Sequence, residues 1–527
     1  MTNVLQKFRD LFNLELKGVS DTVAKGSGDL YSGSTVSDTT ADFLGDWRSS
    51  DGWQRFDLSR VRARSRQLER GNPWAISFKK SLVNNVLGSA GFKFKMGCET
   101  SKAYGDSANG EIDYLANDRI KEARKNFCLA KNFTTRKKLT EREVDRLLLT
   151  RLCFDGEFIL RRQRKFPNDF NFSWQLINAD YLDQNLNRLH TNGNYIKMGV
   201  ELDATWKFPV AYWFLLKRPN DQLFNYNEVS DTRYTRVLAE DVIHVYVQDL
   251  DEEQTRGWPW FFAAAVNLFR MGKYEEAALI NAAIGASKMG FFKKTVPDGF
   301  IGNPQKDLTD DGEIVEEVSP GMWVELPWNV EPVDWDPKYP DSEFGPFCRA
   351  MMRGTSASLG ISYASLSQDY SDTNFSSMRP ALNEEREEWM GIQQFMIDRW
   401  KKPEFEEWLF WSLLTQEIKL PFSKFEKFNS PCFKGRRWPY VSPLEDLQAK
   451  MLGVDNLFFS ISSVIEESGA DAEETFAAIA KDQKLLEKLN LVRVHPTYQF
   501  VSKEAEMGRQ QETSKPPAPK DPPPAKE

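Results

Sequence analysis

The sequence predicts a mainly helical α+β protein, and three observations support this fold class. A long alanine-rich helix is predicted from about residue 259 to residue 292. A second helix is predicted over residues 342–359, after an insert rich in Gly, Pro and Asp. Residues 157–247 form the one region in which short β-branched and aromatic runs alternate with turn residues. Helices with one separate sheet region are typical of the α+β class.

The N-terminal segment, residues 1–45, is predicted to be mobile because Gly, Ser, Thr and Asp dominate it from residue 18 onward. Its start has an amphipathic helical pattern, with Leu5, Phe8 and Phe12 on one face.

Two helical stretches precede the sheet region. Residues 54–92 should be helical with a break at Asn72-Pro73, because Pro favours the first turn of a new helix. Residues 111–165 should also be helical, and they include a basic run at residues 136–138.

Further helices follow the second long helix. One is predicted to begin near Pro380 and to be interrupted by Pro403. Residues 444–490 should be helical as well, with Asp471 as an N-terminal cap. The proline-rich residues 496–527 should be disordered.

Length and charge limit the functions that fit the chain. Its 527 residues are too many for one core, so roughly two to four domains are expected. The formal net charge is -8, whereas a tight general nucleic-acid binder usually has a strongly basic face. The charge still allows a protein that surrounds DNA without gripping it.

Cysteine and histidine usage gives little material for metal or redox chemistry. The five cysteines are scattered without a CxxC pair, which disfavours a disulfide framework and a structural zinc site. The three histidines lie far apart in sequence. We find no signal-peptide pattern and no run of about 18 apolar residues, so use in a cytoplasm, or in an assembly built there, is expected.

No enzyme signature is present in the sequence. There is no GxxxxGK[ST] loop, which disfavours a packaging motor, and no HExxH, GxSxG or GxGxxG pattern. Acidic residues from Asp307 to Glu313 surround Gly312, but Val318 occupies the position of the bidentate acid of an EF-hand. We therefore predict a solvated acidic loop, with no catalytic residue, metal site or cofactor.

Two basic groups have structural explanations besides DNA contact. Four arginines recur along one predicted helix: Arg62, Arg64, Arg66 and Arg70. They either touch phosphates or form a solvated or interface helix face. Lys293 and Lys294 follow the first long helix, where cations favour the negative end of the helix dipole.

Six groups of strings, taken in order, carry a resemblance to a known family. They are RARSRQLERGNPWA with SLVNNVLGSAGFKF, DGEFILRR with QLINADYLD and ELDATWKFPVAYWFL, LAEDVIHVY with QTRGWPWFFAAAVNL and GKYEEAALINAAIGASKMGFF, LGISYASLSQDYSDTNFSSMR, KPEFEEWLFWSLL, and GRRWPYVSPLEDLQA. Their order and completeness make the match specific. The chain resembles the lambda-type portal proteins of tailed phages, which form the head–tail connector.

The resemblance implies a portal fold with wing, stem, clip and crown regions. By position these are the wing at 46–257 and 381–440, the stem helices at 258–292 and 342–360, the clip at 293–341, the tunnel loop at 361–380 and crown-like helices at 441–495.

The resemblance also implies which side chains face a DNA channel. In the tunnel loop they are Gln368, Asp369, Ser371, Asp372, Asn374, Ser376, Ser377 and Arg379. On the stem they are Lys273, Glu276, Lys288, Lys293 and Lys294. A loop of acids, amides and hydroxyls offers hydrogen bonds without strong counterion release, so that DNA can slide.

The partners implied by the resemblance are those of a capsid vertex. They are further copies of the chain in a ring of about twelve, double-stranded DNA, the terminase large subunit, the capsid with its scaffold or protease, and a head-completion or adaptor protein. No membrane partner is implied. The expected location is the virion, with assembly in the host cytoplasm.

Two other functions stay open. A metal-dependent nuclease would need a carboxylate cluster, while the acids of this sequence show no diagnostic spacing. A different structural virion protein, such as a capsid or tail component, would usually carry more strand and lack two long helices around a small insert.

Overall fold

A computed structural model describes residues 48–99, 112–219, 233–248, 251–286, 290–293, 323–326, 344–371, 374–439 and 442–489. The chain divides into two compact units. Unit 1 comprises Met1–Ile76, Phe133–Lys138 and Leu147–Leu359, and unit 2 comprises Ser77–Asn132, Leu139–Arg146 and Gly360–Glu527. The predicted mobile N-terminal segment, the acidic loop of the insert and the proline-rich tail lie outside the described residues.

Helices dominate the described residues. They are α1 (Ser50–Gly71), α2 (Pro73–Val86), α3 (Tyr114–Phe127), α4 (Ala130–Phe133), α5 (Glu141–Asp155), α6 (Phe262–Ala286), α7 (Phe344–Ser358), α8 (Tyr363–Ser367), α9 (Phe375–Met396), α10 (Lys402–Leu414), α11 (Phe425–Phe428), α12 (Pro443–Asp455), α13 (Ile461–Glu467) and α14 (Ala472–Lys488).

The strands form small sheets. They are β1 (Lys93–Met96), β2 (Glu157–Arg164), β3 (Phe172–Ile177), β4 (Arg188–Leu189), β5 (Tyr195–Lys197), β6 (Val200–Leu202), β7 (Pro209–Leu215), β8 (Tyr234–Leu238), β9 (Val242–Tyr246), β10 (Gly290–Lys293), β11 (Trp323–Leu326) and β12 (Pro431–Lys434). The mainly helical α+β class is confirmed.

The break predicted at Asn72-Pro73 is a helix cap. Asn72 Oδ1 accepts hydrogen bonds from the backbone N–H groups of Trp74 and Ala75, both at 3.0 Å. Pro73 occupies the first position of α2, where its missing N–H costs nothing. Asp471 likewise caps α14 by accepting from the N–H of Glu474 at 3.1 Å. Both sequence predictions are therefore confirmed.

The helix predicted over residues 111–165 is wrong in two places. The basic run at residues 136–138 lies in the turn between α4 and α5, where Lys137 has a φ of 55°. The helical pattern also stops at Asp155, and β2 begins at Glu157. Gly156 separates them with a φ of 84°, a conformation in which only glycine is unstrained.

Unit 1 holds the predicted sheet region. The sheets have the strand orders β3-β2-β9 and β4-β5-β6-β7-β8, and all their pairings are antiparallel. Their apolar faces share one core cluster: Ile159, Leu182, Val200, Leu202, Tyr212, Phe214, Val237 and Val242. β8, at an edge of the five-stranded sheet, is mostly exposed.

A buried carboxylate, Glu157 of β2, organises the polar interior of unit 1. Arg256 Nε donates to its two oxygens at 2.9 and 3.0 Å, and Arg62 Nη2 lies 2.8 Å from Oε1. His244 Nε2 lies 3.0 Å from Oε2. Burial disfavours the charged carboxylate, but the two guanidinium charges outweigh it and hold the pKa of Glu157 well below its usual range.

Unit 2 has an aromatic core and an ionic cluster of its own. Trp389, Trp400 and Trp408 are fully buried. Arg124 donates to Glu404 Oε1 at 2.8 Å and to Glu141 at 2.6 Å.

Lys401 extends this ionic cluster. It pairs with Glu141 and lies 3.3 Å from Asp145 Oδ2, while Trp400 Nε1 donates to Asp145 Oδ1 at 2.7 Å. Burial raises the pKa of Asp145 to about 6.

Pro403 does not interrupt its helix, contrary to the prediction. A π turn over Ile397–Lys401 joins α9 to α10, and the N–H of Lys402 donates to the carbonyl of Ile397 five residues earlier. A π turn changes the backbone pairing just where the proline lacks an N–H, so the chain stays helical through it. Pro380 is also inside a helix, since α9 begins at Phe375.

The turn after α12 has an unusual residue at its left-handed position. The N–H of Phe458 donates to the Gly453 carbonyl at 2.8 Å, and that of Leu457 donates to Val454 at 3.1 Å. This is the Schellman pattern, whose left-handed position is usually glycine. Here it is Leu457, with a φ of 61°, a conformation that costs a side chain about 1–2 kcal/mol.

Candidate channel segments

The helix predicted over residues 259–292 is α6, and it ends earlier than predicted. α6 spans Phe262–Ala286, and residues 290–293 form the strand β10, which pairs in parallel with β11. A glycine followed by two phenylalanines, Phe291 and Phe292, suits a strand better than a helix end. The second predicted helix is confirmed as α7.

α6 and α7 pack against each other through aromatic rings. Tyr274 stacks on Phe344 with ring centroids 5.4 Å apart, and it meets Phe347 at 4.8 Å. The inner face of α6 includes Ala264, Leu268 and Met271, all buried.

The opposite face of α6 combines large apolar side chains with the ion pair of Lys273 and Glu276. Phe262, Val266, Phe269 and Ile280 are exposed, and Phe269 is 60% exposed. Their spacing of three, four, seven and eleven residues places them on one side of the helix. A groove of about 610 Å³ runs along this side between α1 and α6. Large apolar side chains exposed on this side favour a second packing partner for α6.

Three of the five stem residues predicted from the resemblance lie in the described part of the chain. Lys273 Nζ and Glu276 Oε2 form an exposed ion pair at 2.7 Å on α6. Lys293 is the last residue of β10, so its predicted place at the end of the helix is wrong. Lys288 and Lys294 lie outside the described residues.

The predicted tunnel loop is shorter than expected and partly helical. It consists of α8 followed by residues 368–374, of which Asp372 and Thr373 lie outside the described part. Gln368 ends α8 in the left-handed conformation, and its Nε2 donates to the Ser365 carbonyl at 2.7 Å. Ser371 and Asn374 are exposed.

Asp369 stabilises the loop from inside. Its Oδ1 accepts from the N–H of Ser371 at 3.1 Å and from the Ser371 hydroxyl at 2.6 Å. The Tyr363 hydroxyl donates to Oδ2 at 3.2 Å. This half-buried acid is therefore a turn-forming residue.

Three of the predicted loop residues lie in α9. Ser376 and Ser377 are in its first turn, because the helix begins at Phe375. Arg379 Nη2 donates to Asp446 Oδ1 at 2.5 Å, so its charge is compensated within unit 2. The loop prediction failed here because a polar run of serines in a first turn looks the same as a loop.

The sequence interpretation missed Glu385, which anchors α8 to α9. Glu385 is buried, and its Oε2 accepts from the Ser362 N–H at 3.3 Å and from the Ser362 and Ser365 hydroxyls at 2.9 Å each. Trp389 Nε1 donates to Oε1 at 3.3 Å. No sequence signal connects these residues, because Glu385 stands 23 positions after Ser362.

The arginine series of α1 divides into two internal residues and two exposed ones, Arg64 and Arg70. Arg62 is buried against Glu157, and Arg66 pairs with Asp155 and Asp180, both at 2.7 Å. These two arginines make ion pairs inside unit 1, so of the expected alternatives the solvated face is wrong for them. Arg64 lines the groove beside α6.

The described residues contain neither a metal-binding cluster nor a membrane-spanning helix. No three His, Cys, Asp or Glu side chains come together there in a way that could hold a metal ion. No helix among them has the length and apolarity to span a membrane.

The family model for phage portal proteins of the lambda family matches residues 41–393. The chain belongs to the lambda family of phage portal proteins. This portal protein is 30% identical over 439 residues to the probable portal protein of Halomonas phage phiHAP-1, and the match covers 82% of both chains. It is 31% identical over 144 residues to the portal protein of Escherichia phage N15, covering 26% of this chain and 27% of that one.

Among solved structures, this portal protein matches a chain in the neck of an empty GTA particle. The two are 14% identical, the match covers 82% of this chain and 98% of that one, and the TM-score is 0.40. The resemblance drawn from the sequence strings is confirmed by the family match, and the protein is a portal protein of the phage head–tail connector. Its family is a structural one.

Proposed function

We propose that the protein forms a ring of about twelve copies at one vertex of a phage head. DNA passes through the ring during packaging and again during ejection. The observation that carries the proposal is membership of the lambda portal family over residues 41–393. The role is structural, without a catalytic residue or cofactor.

We assign the regions by the resemblance, with bounds taken from the described helices and strands. α6 and α7 are the stem helices, residues 294–322 and 327–343 with β10 and β11 belong to the clip, and α12 to α14 are crown-like helices. The clip faces the terminase large subunit and later a head-completion or adaptor protein. The capsid and its scaffold or protease contact the ring during assembly in the host cytoplasm.

The outer apolar face of α6 supports self-association. Phe262, Val266, Phe269 and Ile280 need cover that the described part of one subunit does not give them. A closed ring supplies it through a heterologous contact, in which this face of one copy meets a different face of the next.

The short loop after α8 supports passage without grip. Gln368 and Ser371 present neutral hydrogen-bonding groups, and Asp369 presents a negative charge. The nearest cation in sequence, Arg379, is paired with Asp446. Phosphate contacts from free cations would release counterions and hold the DNA in place, so their absence from this loop suits a conduit.

Native mass spectrometry of the purified protein, with electron microscopy, tests the ring. A closed ring of about twelve copies with a central hole is the expected result. Tubes, sheets or strictly dimeric particles under all assembly conditions, including with scaffold present, would contradict it.

A charge change in the loop tests the conduit. Gln368→Lys with Ser371→Lys should leave ring assembly intact and reduce packaged DNA in a packaging assay, most strongly at low salt because the added contacts are electrostatic. The matched control is Gln368→Glu with Ser371→Glu, which has the same backbone demands and the opposite charge. Equal packaging by the two double variants would remove this loop from the channel.

A further inference from the structure

The turn between α12 and α13 is rigid and yet presents two large apolar side chains to solvent. Leu457 is 91% exposed and Phe458 is 79% exposed. Four hydrogen bonds to α12 fix the turn, since Phe459 also donates to the Gly453 carbonyl and Asn456 Nδ2 to that of Leu452. We call Leu457 and Phe458 the turn pair.

Packing beneath the turn fixes its direction. The Phe459 ring lies directly on Gly453, where a Cβ atom would come within 2.3 Å of the ring. Gly453 leaves room for the Phe459 ring, which covers this position and is itself 44% exposed. The turn pair, which precedes Phe459, projects into solvent.

The left-handed conformation of Leu457 is unfavourable and gains nothing inside the subunit. A glycine at this position would remove the steric cost, as at most Schellman turns. The leucine side chain does not repay that cost with burial, because it is almost fully exposed. A strained, pre-organised and exposed apolar residue indicates a contact made in another state of the protein.

The turn pair continues into a larger apolar surface. α12 exposes Leu444, Leu447 and Met451, which share one side of the helix. Leu457 and Phe458 extend this surface beyond the helix end. Such a cluster, with bulky residues at one tip, has the form of an interface anchor.

The same unit carries a second exposed apolar surface that can receive the turn pair. On one side of α14, Phe476 and Ile479 are 44% and 43% exposed, and all residues of α14 except Ala472 lie at least partly at the surface. A subunit with both a projecting anchor and a separate receiving helix matches another copy of itself head to tail. A ring built from heterologous contacts requires this complementarity.

We propose that Leu457 and Phe458 of one subunit pack against α14 of the neighbouring subunit and strengthen the ring. This inference rests on the proposed ring. Replacing Leu457 should therefore have opposite effects on the subunit and on the ring. It should stabilise the isolated subunit, which bears the backbone strain, and weaken the assembly, which contains the apolar contact.

Leu457→Gly is the decisive variant. The dilute, unassembled subunit should melt roughly 2–4 °C higher, since the left-handed position is relieved. The protein concentration for half-assembly, measured by native mass spectrometry or mass photometry, should rise about tenfold or more, because an interface anchor is lost. Phe458→Ser should weaken assembly similarly without raising the melting temperature.

Gln416→Gly is the matched control. Gln416 also follows a helix end, has a φ of 60° and is exposed, but its side chain is polar. Its replacement should raise the melting temperature of the subunit and leave assembly unchanged. This separates relief of strain from loss of the contact.

A photo-reactive benzoylphenylalanine in place of Phe458 identifies the occupant in assembled rings. Cross-links to residues 472–489 of a second copy are expected. If the Leu457→Gly and Phe458→Ser variants form rings as well as the wild-type protein does, the inference is overturned and the proposed ring stands. The same conclusion follows if Phe458 in phage heads cross-links only to another head protein. Absence of any wild-type ring would overturn both proposals.

Discussion

Replacing Glu157 by Gln is expected to destabilise unit 1 severely. The variant keeps the shape of the side chain but removes the charge that faces Arg256 and Arg62, which are both buried. One of the two carboxylate oxygens becomes an NH2 group. That group then faces the donors Arg256, His244 or the Gly257 N–H, of which the last donates to Oε2 at 2.9 Å.

The magnitude follows from the burial of both partners. Removing one member of a buried ion pair costs about 3–5 kcal/mol because the remaining charge is left without compensation. Two guanidiniums lose their partner here, which places the expected loss in the upper half of that range. For a unit of this size, roughly 2–4 °C per kcal/mol gives a fall in melting temperature of about 10–20 °C.

Urea unfolding followed by tryptophan fluorescence, with thermal melts, measures the loss. Glu201→Gln is the control, because Glu201 is equally buried but its partner Arg236 is 33% exposed and can be solvated. We expect about 1 kcal/mol there, the scale of one hydrogen bond. A loss for Glu157→Gln below about 1 kcal/mol, or equal to that of Glu201→Gln, would refute the reasoning.

Two further predictions concern stability. The folded pKa of Asp145 is about 6 and lies above the unfolded value, so its protonation stabilises unit 2 at low pH, and this contribution is lost as pH rises to 6. The resistance of Asp145→Asn to urea, relative to the wild type, should therefore increase as the pH rises from 4 to 7. A difference that does not change with pH would contradict this. Gly257→Ala should cost more than about 3 kcal/mol or prevent folding, because its Cβ would lie 2.1 Å from the Gly156 carbonyl oxygen. Gly272→Ala, with open space around it in α6, should be neutral or stabilising in the same thermal melt.

Local signals predicted much of the fold. Asn72-Pro73 and Asp471 are caps whose side chains bond to the next few N–H groups, so neighbouring residues are enough to recognise them. The strands β2, β3, β7 and β9 follow from β-branched and aromatic runs between turns. In each case the information and the structure lie within about ten residues of one another.

The sequence predictions failed where residues distant in sequence, or details of the backbone, determine the structure. The Phe pair of β10 is in a strand because β11, some thirty residues on, pairs with it. Pro403 is tolerated because of a π turn that no pattern announces. The sequence around Arg62 predicts a charged helix face, but its ion-pair partner is Glu157, which is 95 positions later. The role of Glu385 depends equally on serines far away in sequence.

The candidate site was predicted unevenly for the same reason. The resemblance located the loop, and Gln368, Asp369 and Ser371 do lie in it. It did not reveal that Asp369 forms the turn or that Arg379 is already paired with Asp446. Channel-facing positions of individual side chains stay predictions.

The π turn at residues 397–401 has a mechanical consequence. A hinge at Pro403 would let the chain bend and absorb a force applied to the loop at residues 368–374. With the turn intact, α9 and α10 form one continuous helical strut about 60 Å long at 1.5 Å per residue, in which Pro380 removes one hydrogen bond near the N-terminal end. Its N-terminal end begins directly after the loop, and its far half is wedged into the aromatic core by Trp400 and Trp408. A displacement at the loop is thus resisted by the tryptophan core of unit 2.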